Sequence, residues 1–146
     1  MFNKEEAAKI RTEFWTSFGK SFPRKWLLYR TKIKGFSFKF AADHKTAMIV
    51  LDIESNDAIK NELLFNQIEA LKTILTKEYL PEIIFDAAYE LETGKRIFRV
   101  YCQHPSDFNI YNKNTWRDAF VFFNEKMHQF ELFYLEYEDF IKSAIY

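Results

Sequence analysis

The chain has 146 residues, enough for one domain with its own hydrophobic core, and 19% aromatic residues with only 3 glycines and 3 prolines favour long regular elements. The single Cys102 excludes an internal disulfide and fits a reducing cytoplasm, while the lack of a run of about 20 apolar residues or of an apolar leader argues against a membrane partner and secretion. The net charge of +0 is unlike the basic balance typical of dedicated nucleic-acid binders.

The first element is an amphipathic helix. Asn3 followed by Glu6 resembles a capping box, which satisfies the free N–H groups at the start of a helix. Ile10, Phe14 and Phe18 then recur at a spacing of four residues, which places them on one helical face. Gly19 and Pro23 predict that the helix ends between residues 18 and 22.

A hairpin follows. The segment FSFKF, residues 36–40, places its three phenylalanines on one face of a strand, and the polar residues 42–45 predict the turn. In the return strand, residues 46–54, the apolar side chains of Ile49, Leu51 and Ile53 share one face because side chains alternate with period 2. Asp52 and Glu54 therefore lie together on the opposite face.

A helix and a second hairpin come next. Residues 57–78 lack glycine and proline and show helical spacing of leucine and isoleucine, which predicts one amphipathic helix. The following strand alternates from Ile83 to Leu91, so Phe85 and Tyr89 are expected on one face. The turn at residues 92–95 leads to a strand that alternates Phe98, Val100 and Cys102 with polar and aromatic residues.

The last element is a long aromatic helix. Its apolar residues repeat at intervals of 4 and 3 from Trp116 to Ile141, like a heptad seam. A continuous helix over residues 115–144 would be roughly 45 Å long, longer than a domain of this size, which is about 30 Å across. Either the helix breaks near residues 129–132, or its end projects and packs on a second copy. The second option predicts a homo-oligomer whose contacts are made by Phe130, Phe133, Tyr134, Tyr137 and Ile141.

The order of elements is α-β-β-α-β-β-α, with no linker or repeat to divide the chain. This order predicts a single α+β domain over residues 1–146, built on a mostly antiparallel sheet of about four strands with helices packed on it.

Charge is segregated along the chain. Between Phe14 and Ala42 there are 7 basic residues and no acidic one, whereas the region from Asp52 to Glu92 has 10 acidic and 3 basic residues. Cations interleaved with aromatic rings are the residue types that bind phosphate backbones and single strands. The candidate nucleic-acid contacts are Lys20, Arg24, Lys25, Trp26, Arg30, Lys32, Lys34 and Lys39. The alternative is that the aromatic rings belong to the core and the lysines to a solvated strand face.

The paired carboxylates Asp52 and Glu54 raise a second hypothesis. Restriction-endonuclease-like nucleases hold a divalent metal with an acid on one strand and a Glu-x-Lys motif on the next. Asp43 precedes the pair at a suitable distance, so Asp43, Asp52 and Glu54 are the candidate catalytic residues, with Mg²⁺ as cofactor under this interpretation alone. The lysine is missing after Glu54, and Lys39 or Lys45 would have to replace it in space. Without it, the two acids are solvated residues at a strand end.

No other motif predicts a cofactor or a resident metal. The three histidines, His44, His104 and His128, do not cluster in sequence, and Cys102 shares the parity of buried strand residues, which predicts an inert thiol. Glycine-rich phosphate loops, CxxC, HExxH and GxSxG motifs do not occur in the sequence.

Several of these segments together resemble a bacterial family known only as domain of unknown function number 4268. The resemblance rests on four segments: Arg11-x-x-Phe14-Trp15-x-x-Phe18, Trp26-Leu27-x-Tyr29-x-Thr31, AMIVLDIES, and Glu136-Tyr137-x-Asp139-Phe140. Longer proteins of this kind carry the domain after a nuclease-like region, and this chain is similar to a stand-alone form. The resemblance implies no catalytic residues, but it implies an accessory role near nucleic acid or in defence.

These observations favour two functions. The first is a non-enzymatic binding or assembly module that associates with itself through the aromatic helix and oppositely charged surfaces. The second is a nucleic-acid-binding protein, or a metal-dependent nuclease-like domain, that uses residues 20–39 and the face with Asp52 and Glu54.

Overall fold

The computed structural model describes residues 2–146 and contains one four-stranded antiparallel sheet with the strand order β1-β2-β4-β3. The strands are β1 (Phe36–Ala42), β2 (Ala47–Ile53), β3 (Ile84–Glu90) and β4 (Arg96–Gln103). The α+β class and the antiparallel sheet are thus as predicted, and the order of elements departs from the prediction only over residues 57–78. Both hairpins also form, because the alternation of apolar and polar residues and the polar turns act locally.

Four α-helices connect and cover these strands. They are α1 (Lys4–Ser21), α2 (Ala58–Glu69), α3 (Lys72–Glu78) and α4 (Trp116–Lys142), with short 3₁₀ turns at Leu27–Arg30 and Lys113–Thr115. The single helix predicted over residues 57–78 is therefore wrong: it is two helices. The chain leaves helical geometry at Leu71, whose N–H bonds to the carbonyl of Ile68 at 2.9 Å and whose side chain is buried.

The helices pack on one face of the sheet, where the aromatic residues of the two hairpins lie. Phe38 of β1 meets Phe130 of α4 at 5.0 Å between ring centroids, Phe18 of α1 meets Phe40 at 5.0 Å, and Phe65 of α2 meets Phe98 at 4.8 Å. Tilted and edge-on rings at these separations attract each other beyond the free energy of burial alone. This aromatic layer is the core of the protein.

The C-terminal helix is continuous over 27 residues, about 40 Å at 1.5 Å per residue. It neither breaks near residue 130 nor exposes its seam, because the sheet and the other helices bury that seam along its length. Four of the residues assigned to a contact with a second copy are at most 1% exposed, and Tyr137 is packed against the same core; the four are Phe130, Phe133, Tyr134 and Ile141. This corrects the choice of contact residues, whereas self-association itself stays a prediction.

A β-bulge in β3 moves the side chains after it to the opposite face of the sheet. Asp86 pairs with Arg99 while Tyr89 pairs with Ile97, so one extra residue lies in β3 between the two pairs. Tyr89 therefore lies on the opposite face from Phe85, and the prediction that the two share a face is wrong. The displaced ring of Tyr89 lies 4.2 Å from the guanidinium carbon of Arg99.

The second face of the sheet, called the open face below, carries Lys39, Asp52, Arg99 and Tyr89. Among residues 2–146, every ring contact between an α-helix and a strand falls on the other face. Within the same residues, no helix is long and apolar enough to cross a membrane.

Candidate functional site

The carboxylate of Asp52 is held on the open face by a buried guanidinium. Asp52 and Arg99 lie directly across from each other on β2 and β4, and they are 1% and 7% exposed. Arg99 donates from Nε to Oδ1 at 2.7 Å and from Nη2 to Oδ2 at 2.9 Å, a two-point contact that fits the planar shapes of both groups. Burial alone would lower the pKa of Arg99, but the hydrogen bond and charge of Asp52 outweigh it and raise that pKa.

A lysine from the neighbouring strand joins Asp52 to Glu54. Nζ of Lys39 lies 3.4 Å from Oδ2 of Asp52 and 3.5 Å from Oε2 of Glu54. Lys95, in the turn between β3 and β4, lies 3.4 Å from Oε1 of Glu54. The two carboxylates therefore form an ion-pair cluster with three cations.

This cluster opposes the binding of a divalent metal. The cations next to both carboxylates repel Mg²⁺, and residues 2–146 contain no group of three or more His, Cys, Asp or Glu side chains that could hold a metal ion. Asp43 does not join the cluster, because its Oδ1 accepts the N–H groups of Lys45 and Thr46 at 2.7 Å each within the β1–β2 turn. Burial would raise the pKa of Asp43, but these hydrogen bonds outweigh it and lower that pKa. The geometry gives the nuclease hypothesis no support.

The basic stretch that begins in the last turn of α1, residues 20–34, is called the basic segment below. It is tied to the core at several points. Trp26, Leu28 and Ile33 are buried, and the hydroxyl of Thr31 donates to the carbonyl of Phe36 at 3.2 Å. These anchors fix a segment that has little regular secondary structure.

A buried carboxylate on α4 also binds the basic segment. Oε1 of Glu131 accepts a hydrogen bond from Nη2 of Arg24 at 2.6 Å. Oε2 accepts a hydrogen bond from the main-chain N–H of Leu27 at 2.8 Å. The same Nη2 lies 2.9 Å from Nδ1 of His128. Glu131 is 6% exposed, so its charge is compensated inside the protein.

The eight residues predicted to contact nucleic acid divide into two groups. Arg24 pairs with Glu131, Lys39 pairs with Asp52 and Glu54, and Trp26 is 6% exposed with Arg24 at 3.9 Å from its ring centroid. These three are structural, and Trp26 is not an open stacking surface. The remaining five are exposed and make no ion pair within the described residues 2–146: Lys20, Lys25, Arg30, Lys32 and Lys34.

An aromatic cavity of about 230 Å³ opens beside the basic segment. Tyr29, which is 60% exposed, stands at its edge, while Trp26 and Phe18 form buried parts of its wall. The full lining is Trp15, Phe18, Gly19, Phe22, Arg24, Trp26, Tyr29 and Phe40. The cavity thus joins the end of α1 to the basic segment and to β1.

Cys102 and His104, at the end of β4, do not line the aromatic cavity. Cys102 is 1% exposed, and burial raises the pKa of its thiol to about 12, so it is the buried, unreactive thiol that its strand parity predicts. Both ring nitrogens of His104 are buried without a hydrogen-bond partner in the described chain, beside Phe122 at 5.2 Å between ring centroids.

The sequence did not indicate the partners of these charges. In the sequence, Arg99 is one residue of an alternating strand and Glu131 is one of several acidic residues in the last helix. A charged residue amid the apolar repeat of α4, next to Phe130, was the available signal for Glu131. Its partner Arg24 lies 107 residues away, so no local pattern joins the two.

A family model described as domain of unknown function (DUF4268) matches residues 10–138 of the 146-residue chain. The chain belongs to this family. The match covers α1 from residue 10 onward, the basic segment, the whole sheet and most of α4, so the DUF4268 domain includes the cavity and the exposed cations. No curated protein and no solved structure matches the chain significantly.

The first prediction concerns the buried ion pair. Replacing Arg99→Met leaves Asp52 charged and buried with Lys39 alone, which we expect to lower the free energy of unfolding by about 3–5 kcal/mol. The double variant Asp52→Leu with Arg99→Met removes both charges and should recover most of that loss. Urea unfolding at neutral pH measures both values. Lys39→Met is the control, since Lys39 is half exposed and should change stability by about 1 kcal/mol or less. An Arg99→Met protein as stable as the wild type would show that Asp52 does not depend on Arg99 for compensation of its charge.

The second prediction concerns pH. Burial lowers the pKa of His104 below its usual 6.5, and the charge of Asp118 offsets only part of this effect. The unfolded chain therefore binds the proton more tightly than the folded one. The stabilising contribution of neutral His104 is complete above about pH 6.5 and is lost as the pH falls below it. We expect the unfolding midpoint in urea to decrease between pH 7 and pH 5, and less so in His104→Phe. Equal pH dependence in both proteins would show that the imidazole is not the group responsible.

Proposed function

We propose that this protein is a binding module that holds nucleic acid by its phosphates through the basic segment. The observation that carries the proposal is the set of five exposed cations, between Lys20 and Lys34, that make no ion pair within residues 2–146. Other exposed cations of the described chain, such as Lys4, Lys9 and Lys77, are also unpaired, but they are spread over α1 and α3, whereas these five lie within 15 consecutive residues of a stretch without an acidic residue. A phosphate chain supplies the missing negative charge and releases its own counterions on binding.

A net charge of +0 is compatible with this function. Charges separated by more than about 8 Å are largely screened at physiological ionic strength, so a local group of cations is sufficient to attract a polyanion. No acidic residue occurs from Phe14 to Ala42, so the basic segment has no acidic neighbour along the chain. The anchoring by Glu131 and by Trp26 also limits the conformational entropy that the segment loses when it binds.

The two other hypotheses have less support. The apolar seam of α4 that was expected to join two copies is used inside the chain. The carboxylates expected to hold Mg²⁺ are occupied by Arg99, Lys39 and Lys95. A binding module that works through the basic segment requires neither feature.

The third prediction tests the proposal by charge reversal. The variant Lys25→Glu, Arg30→Glu, Lys34→Glu should weaken binding of a fluorescent oligonucleotide by at least about tenfold at low salt, measured by anisotropy. For a single strand, the logarithm of the association constant should fall with the logarithm of salt with a slope of about −3.5 for five contacts. The variant should reduce that slope by about 2, because it removes three contacts.

The matched control makes the same change in net charge outside the basic segment. Lys4→Glu, Lys9→Glu, Lys77→Glu alters three exposed lysines on α1 and α3 and should bind like the wild type. Equal loss of binding in both triple variants would show a general charge effect and not a site. A wild-type protein that binds no oligonucleotide at about 100 μM and low salt would remove the proposed function altogether.

A further inference from the structure

We propose that the ligand is single-stranded and that one unstacked base enters the aromatic cavity lined by Trp26 and Tyr29. This inference rests on the proposed function, because the neighbouring cations would hold the strand. It goes beyond phosphate binding, because it states which form of nucleic acid is selected and what part of it is recognised.

The size of the cavity fits one ring system. Its volume is about 230 Å³, whereas pockets that enclose a whole small molecule span about 300–1,000 Å³. A dinucleotide cofactor would fill more than this cavity offers. A single base attached to a strand that continues over the surface would not.

The walls supply both stacking and a polar contact. The ring of Tyr29 is exposed at the edge of the cavity, where it offers a face to a base. Arg24 lines the same cavity, and within residues 2–146 only its Nη2 has hydrogen-bond partners. Its Nε and Nη1 are free to donate to a carbonyl oxygen on the edge of a base. Glu131 holds this guanidinium in place at 2.6 Å.

Gly19 lines the cavity without a side chain and so leaves that part of it open. It lies within α1, where glycine is the least favourable residue after proline, and a Cβ at this position would meet nothing within 4 Å. Neither a close backbone approach nor a left-handed conformation therefore requires glycine here. Apart from its chain neighbours and the backbone of its own helix, nothing in residues 2–146 lies within 4 Å of that position, so the missing side chain leaves open space. A base can occupy that space.

Cations flank the cavity along the chain. Lys20 follows Gly19, Lys25 lies between Arg24 and Trp26, and Arg30 follows Tyr29. The phosphates on either side of an inserted base would therefore meet positive charge. A duplex would first have to unpair and flip a base out of its stack, which costs free energy that a single strand does not lose.

The fourth prediction uses Gly19 to close the cavity without altering charge. We expect the wild type to bind a single-stranded oligonucleotide at least about tenfold more tightly than a duplex of the same length. Gly19→Leu should abolish that preference by weakening single-strand binding about tenfold, and duplex binding should stay unchanged. Gly19→Ala is the matched control and should lose much less affinity than Gly19→Leu, since its single methyl group takes up only a small part of the open space.

A second pair of variants covers the case in which leucine disturbs α1. Tyr29 is 60% exposed, so Tyr29→Ala should remain folded and lose single-strand affinity, while Tyr29→Phe should retain it. Circular dichroism and thermal unfolding check that each variant is folded. If Gly19→Leu and Tyr29→Ala bind single strands like the wild type, or if the wild type binds duplex equally well, the inference is overturned while phosphate binding stands. If the wild type binds neither form, the proposed function falls with it.

Discussion

The contact between Glu131 and the basic segment is the interaction on which the proposed site depends. Glu131 belongs to α4, the helix that packs along the core. One of its carboxylate oxygens accepts a hydrogen bond from the Arg24 guanidinium at 2.6 Å, and the other accepts one from the Leu27 N–H at 2.8 Å. A carboxylate this deeply buried requires both donors, because an unpaired charge there would cost several kcal/mol. The donors lie before and after Trp26, so the contact fixes the wall of the cavity and leaves the neighbouring cations outside.

Charge in this protein therefore serves two separate purposes. On the open face, Asp52, Arg99 and Lys39 neutralise one another, and the pair at the centre is almost completely buried. Such a pair contributes little net stability, but removing only one of its two partners lowers the stability of the protein strongly, because the other charge is then buried without compensation. Beside α1, the cations of the basic segment are exposed and make no ion pair in the described part of the chain. Only the second arrangement leaves charge available for a ligand.

Periodicity predicted most of the fold because it reports local geometry. The alternation of Phe36, Phe38 and Phe40 placed β1 and its buried face, and the seam from Trp116 to Ile141 placed α4. Periodicity could not locate the bulge in β3, since one extra residue between pairs reverses a face without changing the composition of the strand. It also could not say whether the seam of α4 would be covered by its own chain or by a second copy.

The candidate site was predicted in outline but not in detail. The stretch of cations was visible in the sequence, but which of them are neutralised depends on contacts between distant residues: Arg24 with Glu131, separated by 107 positions, and Lys39 with Asp52, separated by 13. The sequence offers Trp26 and Tyr29 as rings for stacking, but it does not show that Trp26 is a buried wall and that Tyr29 is the exposed ring. Burial is a property of the whole fold, so composition alone cannot assign these roles.

The most direct measurement of the central claim is a photocrosslinking map. A single strand that carries 5-bromodeoxyuridine is irradiated with the full-length protein, and the modified peptides are identified by mass spectrometry. The account predicts adducts on Tyr29 and on the other rings that line the aromatic cavity. Adducts confined to the open face, at Tyr89 or Tyr101, or to the C-terminal residue Tyr146 would contradict it, because none of these rings lines the aromatic cavity.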